Sequence, residues 1–174
     1  SHISGTPSNP ENWFAELVKQ SEAIEYRIAS GEKLGHHERV SEEMKFPDKA
    51  KVEFDIEQGS SLWKWYSHLF NDPAKSAIIA RELGLGVGGI GYGFEGKWRD
   101  KGLFAYHSGK YAGHAYFGTG GNADEELQQK GGSDKYRPWE VNDPNMPKHV
   151  REKWLKIETI LARSYYLYPS NKTG

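Results

Sequence analysis

The residues whose types could do chemistry gather between positions 84 and 121. Glu95, Trp98, Arg99 and Asp100 fall within six positions, and His107 and His114 stand seven apart. A carboxyl beside an indole has its charged form disfavoured, so Glu95 next to Trp98 is suited to hold a proton and deliver it as an acid. Hydrolysis of a glycosidic bond needs a second carboxylate, for which Asp100 and the more distant Asp143 qualify. Pyranose C–H faces are apolar and stack on aromatic planes, a role open to Tyr92, Trp98 and Tyr106. The two imidazoles suit a different reaction. One as base and one as acid could run metal-free RNA cleavage near neutral pH, with Arg99 on the phosphate. They could also ligate a metal with Glu95, Asp100 or another histidine as a third ligand. No HExxH or His-x-His spacing supports that, so no metal and no cofactor is expected. The plainer alternatives are hairpin positions for the histidines and a solvated turn for the charged cluster.

The stretch carrying these residues holds 13 of the 20 glycines and 8 of the 23 aromatic residues. A flexible linker gives aromatic side chains nothing to pack against, so this density implies a built cleft. Gly86-Val87-Gly88-Gly89-Ile90-Gly91 matches the spacing of a dinucleotide loop. A helical pattern precedes it and no Lys-Ser/Thr follows, so close packing of backbone against an aromatic ring is the better reading. Gly35-His36-His37-Glu38 superficially resembles part of a metal-dependent nuclease site, but no strand precedes it and a solvated loop explains it.

The remaining elements must position this cleft. Asn9-Pro10-Glu11 starts a helix that runs to Gly31, with Trp13, Phe14, Leu17, Val18, Ala23, Ile24 and Ile28 on its apolar stripe and Lys19, Gln20, Glu22 and Arg27 off it. A short helix is expected over Glu38 to Lys45, and strict alternation marks a strand over Lys51 to Glu57. A helix follows from Leu62 to about Phe70, and another from Pro73 to Leu83, started by Asn71-Asp72-Pro73 and closed by Gly84. Of the aromatic side chains at Trp63, Trp65 and Tyr66, not all can face inward. Phe104-Ala105-Tyr106-His107 and His114-Ala115-Tyr116-Phe117 form a near-palindrome around a glycine-flanked turn. Folded as a hairpin, it sets His107 opposite His114, Tyr106 opposite Ala115, and Phe104 opposite Phe117. Asn122 to Lys130 is a short polar helix. Met146 to Tyr168 is a long one, with Val150, Trp154, Ile157, Leu161, Tyr165 and Tyr168 on one face.

These elements define an α+β chain, mostly helical, with a few short strands around a glycine- and aromatic-rich centre. Residues 1–10 read as a disordered lead-in, 11–169 as one globular domain and 170–174 as a loose tail. Lys+Arg total 23 and Asp+Glu 24, a balance without long-range attraction to DNA or anionic lipid. The absence of cysteine excludes disulfides and a thiol nucleophile. No run is apolar enough for a membrane span. Ser1-His2 reads as the residue of a cleaved tag, so part of a longer natural protein is expected.

Trp13-Phe14-Ala15-Glu16-Leu17-Val18-Lys19 with Ile24-Glu25-Tyr26-Arg27, then Gly89-Ile90-Gly91-Tyr92-Gly93-Phe94-Glu95-Gly96, then Asn142-Asp143-Pro144, resemble in that order the bacterial toxin 44 domain of secreted polymorphic toxins. The resemblance implies a toxic hydrolase delivered into rival cells, a possible cognate immunity protein as partner, and Tyr26, Tyr92, Gly93, Gly96 and Asp143 as positions to watch. The leading expectation is therefore a secreted or injected effector domain that hydrolyses a glycan such as peptidoglycan. In it Glu95 is the acid, Asp100 or Asp143 the second carboxylate, and Tyr92, Trp98 and Tyr106 stack on sugar rings, with Arg99 and Tyr26 as further contacts and His107 and His114 orienting polar groups. The first alternative is the metal-free RNase using the histidine pair. The second is a non-enzymatic glycan- or partner-binding module.

Overall fold

Helix starts and stops follow local chemistry. In the computed structural model, which describes residues 10–29, 66–128 and 131–166, α1 spans Pro10–Ala29. A 3-10 turn, His68–Asn71, leads into α2, Pro73–Glu82. Asp72 caps α2, its Oδ1 accepting from the Ala74 N–H at 2.9 Å, and Pro73 takes the first turn, where its missing N–H costs nothing. The end of α2 is a Schellman motif. Leu85 N–H donates to Ala80 O and Gly84 N–H to Arg81 O, both at 3.0 Å, with Gly84 at φ +80°. Helix α3, Ala123–Leu127, opens on a capping box in which Asn122 and Glu125 each bind the other's backbone N–H. Helix α4 covers Lys148–Tyr166, and Val150, Trp154, Ile157 and Leu161 of its expected apolar face are all buried.

Five strands form one mixed sheet: β1 Gly86–Val87, β2 Glu95–Gly96, β3 Gly102–Tyr106, β4 His114–Gly118 and β5 Lys135–Tyr136. Strands β1 and β2 both run parallel to β4, one at each end of the same edge, while β3 is antiparallel to β4 and to β5. The architecture is α+β, with more residues in helix than in strand.

The expected hairpin is present, but its register is shifted by one residue. Phe104 faces Tyr116, Leu103 faces Phe117, and Ala105 faces Ala115. The turn causes this. Gly113 N–H donates to Tyr106 O at 2.9 Å, so β3 ends at Tyr106 and His107 bends away toward Asp134, whose carbonyl accepts from its N–H. Side chains alternate along a strand, so this register sorts the hairpin into two faces. Leu103, Ala105, Ala115 and Phe117 share one buried face, and Phe104, Tyr106 and Tyr116 share the other.

Chain contacts divide the molecule into two units, residues 1–63 with 156–174, and residues 64–155; α4 contributes to both. In the first unit Trp13, Phe14 and Leu17 of α1 are buried, as expected, but Gln20 is buried too and Ala23 is exposed. Gln20 belongs to the inner face because its Oε1 accepts from Ser164 Oγ at 3.1 Å, next to the Arg163–Ser21 hydrogen bond. The second unit holds the sheet, α2, α3 and an aromatic core of Tyr66, Phe70, Trp139 and Trp154. Tyr66 thus goes inward. The helix expected over 38–45, the strand over 51–57, the His36-His37 motif, Trp63 and Trp65 lie outside the described residues, as do the first nine positions and the tail.

Candidate functional site

The face of the hairpin that carries Phe104, Tyr106 and Tyr116 is the floor of a half-open cavity of about 310 Å³ in the second unit. Four segments wall it. Trp98, Arg99 and Asp100 come from the connection between β2 and β3, Lys135 from β5, and Tyr92 and Tyr111 from two glycine-flanked turns. The rings meet mostly edge to face: Trp98 on Tyr116 at 5.5 Å and 88°, Tyr106 on Tyr116 at 5.9 Å and 86°, Tyr92 on Tyr111 at 5.9 Å and 68°. Such arrangements favour the ring quadrupoles.

The glycines make these approaches possible. A Cβ on Gly96 would collide with the Trp98 indole, and one on Gly118 would strike the Asp100 carbonyl. The Tyr92 turn is a two-residue hairpin, Gly89-Ile90-Gly91-Tyr92, with φ of +57° at Ile90 and +86° at Gly91 and reciprocal backbone bonds between Gly89 and Tyr92. A β-branched residue at positive φ is strained. The turn is held despite this because Tyr116 Oη donates to Gly89 O at 2.6 Å and the His114 Nδ1 hydrogen-bonds Gly88 O at 2.7 Å.

This explains the apparent dinucleotide loop. Cβ atoms on Gly86 and Gly89 would lie 2.5 Å and 2.8 Å from His114 Nδ1, so the glycines admit an imidazole against the backbone. A short strand, β1, does stand at this point, but the chain after it turns back as a hairpin and opens no helix.

Two cations and one carboxylate complete the lining. Asp100 is buried, and its Oδ2 takes Lys135 Nζ at 2.6 Å while its Oδ1 accepts from the Gly131 N–H at 3.0 Å. Burial pushes the carboxyl up, but Lys135, the Gly131 N–H and the positive field of Arg137 outweigh it and hold Asp100 below its ordinary value. Asp100 is therefore an ionised acceptor at neutral pH. Lys135 Nζ also sits 5.6 Å from the ring centres of Phe104 and Tyr106, a cation–π contact on the cavity wall. Burial raises the Tyr106 and Tyr116 phenols, which stay protonated.

Beneath the site, Arg137 is buried and donates to three backbone carbonyls: Leu103 at 2.8 Å, Gln128 at 2.8 Å and Glu125 at 3.3 Å. It caps the C-terminal end of α3 and ties it to β3. Burial lowers its guanidinium to about 10, against the opposing charges of Glu140, Asp100 and Glu126, so it remains charged at neutral pH.

Of the residues expected at the site, Tyr92, Trp98, Arg99, Asp100 and Tyr106 do line one cavity. The others are elsewhere. Glu95 is exposed on β2 and does not line the cavity. His107 and His114 are not partners. His107 Nε2 hydrogen-bonds Ser133 O at 2.7 Å on the β5 side, and His114 reaches Gly88 O on the β1 side of the sheet. Asp143 lies in the turns before α4, where its Oδ1 accepts from the Asn145 N–H at 2.9 Å. Tyr26 is exposed on α1, in the other unit. Among the described residues no group of three or more histidine, aspartate or glutamate side chains could hold a metal ion, and no helix is long and apolar enough to cross a membrane. Sequence reasoning missed Phe104, Tyr111, Tyr116 and Lys135 as site residues. Phe104 and Tyr116 were signalled by aromatic alternation in the palindrome, whereas Tyr111 lies in the turn between its halves and nothing near Lys135 marks it.

Comparison with family models, with curated proteins and with solved structures finds no match.

Proposed function

We propose that the cavity binds one sugar residue of a glycan and that the chain is the recognition module of a delivered bacterial effector. The observation that carries the binding reading is the convergence of six aromatic side chains on a single cavity with an ion pair in its wall. Aromatic planes suit the apolar faces of a pyranose. The Tyr92, Tyr106 and Tyr111 hydroxyls, Lys135 and the Asp100 carboxylate suit its hydroxyl groups. A volume of about 310 Å³ is near the lower end for ligand pockets, which fits one ring with its substituents rather than a polymer segment. Delivery into a rival cell is supported by the resemblance of the Tyr92 and Asp143 segments to toxin domains.

Recognition is favoured over hydrolysis by the carboxylates. Asp100, the one carboxylate in the lining, is held ionised and cannot protonate a leaving group, and Glu95 is outside the cavity. The test is a titration of 15N-labelled protein with peptidoglycan fragments and neutral oligosaccharides, following the Trp98 indole N–H. A saturable shift that Tyr106→Ala removes, with the sugar recovered intact by mass spectrometry, is the expected result. New reducing ends that vanish in Glu95→Gln would replace this reading with the hydrolase. Cleavage of RNA with no response to sugars would replace it with a nuclease.

A further inference from the structure

We propose that the sugar this cavity selects is acidic, carrying a carboxylate, and that Arg99 is the residue that selects it. The inference rests on the glycan-binding reading above and names the class of sugar within it.

The charges of the lining are unequal in what they have left to offer. Asp100 and Lys135 neutralise each other at 2.6 Å, and the Gly131 N–H takes the second carboxylate oxygen. Lys135 is further engaged over the Phe104 and Tyr106 rings. Arg99 differs: it is exposed at the cavity and makes no ion pair or side-chain hydrogen bond with any described residue. Two cations against one carboxylate leave a single uncompensated positive charge in the lining, and it is at Arg99. No second carboxylate lines the cavity to cancel it.

Geometry points to a carboxylate as the complement. A guanidinium presents paired N–H donors in a planar fork that matches a carboxylate's two oxygens. Aromatic walls exclude water from one side of the pair, which strengthens the attraction relative to open solvent. A monoanion balances the one free charge, whereas a phosphate near two negative charges would remain undercompensated. The ring then stacks among the aromatic side chains, its hydroxyls meet Lys135, Asp100 and the tyrosines, and its carboxylate meets Arg99.

The experiment titrates the whole chain with glucuronate, glucose and glucose 6-phosphate at low and high salt, reading the Trp98 indole N–H. The expected result is that glucuronate binds about tenfold or more tighter than glucose at low salt, because a charge-assisted pair is strong in such a setting. The preference should shrink in high salt, collapse toward unity in Arg99→Gln, and persist in part in Arg99→Lys, which keeps the charge but loses the fork. Melting temperature should be unchanged in both variants, since Arg99 holds no described partner. Equal affinity for glucose and glucuronate, or a preference that survives Arg99→Gln, overturns the inference and leaves the glycan-binding reading standing. Tighter binding of glucose 6-phosphate than of glucuronate overturns the carboxylate assignment in favour of phosphate. Failure of every sugar to move the pocket signals overturns the reading and the inference together.

Discussion

The second unit contains two aromatic clusters that differ in what surrounds them. Tyr66, Phe70 and Trp154 are sealed, each 1% exposed or less, with Trp139 against Phe70 at 4.2 Å. They come from helices and from the chain entering α4, and no ion pair lies among them in the described contacts. The cavity cluster is strung on strands and glycine-flanked turns, grades from buried Phe104 and Tyr116 in its floor to Tyr92, 53% exposed, at its rim, and includes the Lys135–Asp100 pair. The first arrangement maximises apolar area removed from water. The second leaves Tyr92 and the Arg99 side chain exposed at its rim, an energetic loss that makes sense where a ligand supplies the missing contacts. Aromatic content alone therefore does not mark a site; aromatic residues held open by close-approach glycines and paired with charge do.

Truncating one indole in each cluster tests this contrast most strongly. Trp154→Ala should cost about 3–5 kcal/mol in urea unfolding, the usual penalty for emptying a packed aromatic site. Trp98→Ala should cost less than about 1.5 kcal/mol, because its site already opens to water, while ablating sugar binding. Equal losses would make the cavity cluster part of the core.

Removing one hydroxyl from the cavity cluster and one from a buried ring of the sheet is the next test. Tyr116→Phe deletes the bond to Gly89 O and should destabilise by about 1 kcal/mol while loosening the Tyr92 turn, seen as faster amide exchange at residues 89–92. Tyr136→Phe should be neutral or stabilising. Its hydroxyl is buried without a hydrogen-bond partner among the described residues, and burial raises its ionisation far above the ordinary range. A loss on Tyr136→Phe would reveal a partner such as a bound water.

Strain at the cavity rim predicts a gain. Ile90→Asn should raise stability by about 0.5–1 kcal/mol, since asparagine tolerates φ +57° better than a β-branched residue and Ile90 is largely exposed. A decrease would mean that Ile90 makes a contact worth more than its strain.

The smallest effect is confined to acid. Asp100 has its folded pKa below the unfolded value of 3.8, so its stabilising contribution is present above that value and is lost as the pH falls through the folded pKa. Asp100→Asn should flatten this part of the stability–pH curve and leave its slope near neutrality unchanged. A variant that follows the parent curve below pH 3.8 would show that the Lys135 pair adds nothing to folding.

Much of the scaffold was legible from local chemistry. The Asp72 cap, the Gly84 stop, the helix start at Asn122 and the buried face of α4 depend on residues within a turn or two of one another, and short-range preferences suffice to place them. The hairpin itself was legible from its palindrome. Its register was not, because a one-residue slip costs nothing in local propensity and is decided by the Gly113–Tyr106 turn bond and by burial on both faces. That slip separated His107 from His114 and brought Tyr116 opposite Phe104.

The sequence by itself thus determined the start and stop of α2 and the starts of α1 and α3, that the glycine–aromatic stretch is structured, and that Tyr92, Trp98, Arg99, Asp100 and Tyr106 belong to one neighbourhood, but not the 3-10 turn in place of the end of the expected 62–70 helix. Only the tertiary structure decided that Asp100 is ionised, that Lys135 from 35 residues away is its partner, that Glu95 faces solvent, and that Arg99 is the charge left over. Protonation state and charge balance depend on burial and on distances between groups remote in the chain, and neither is encoded in any window of neighbouring residues.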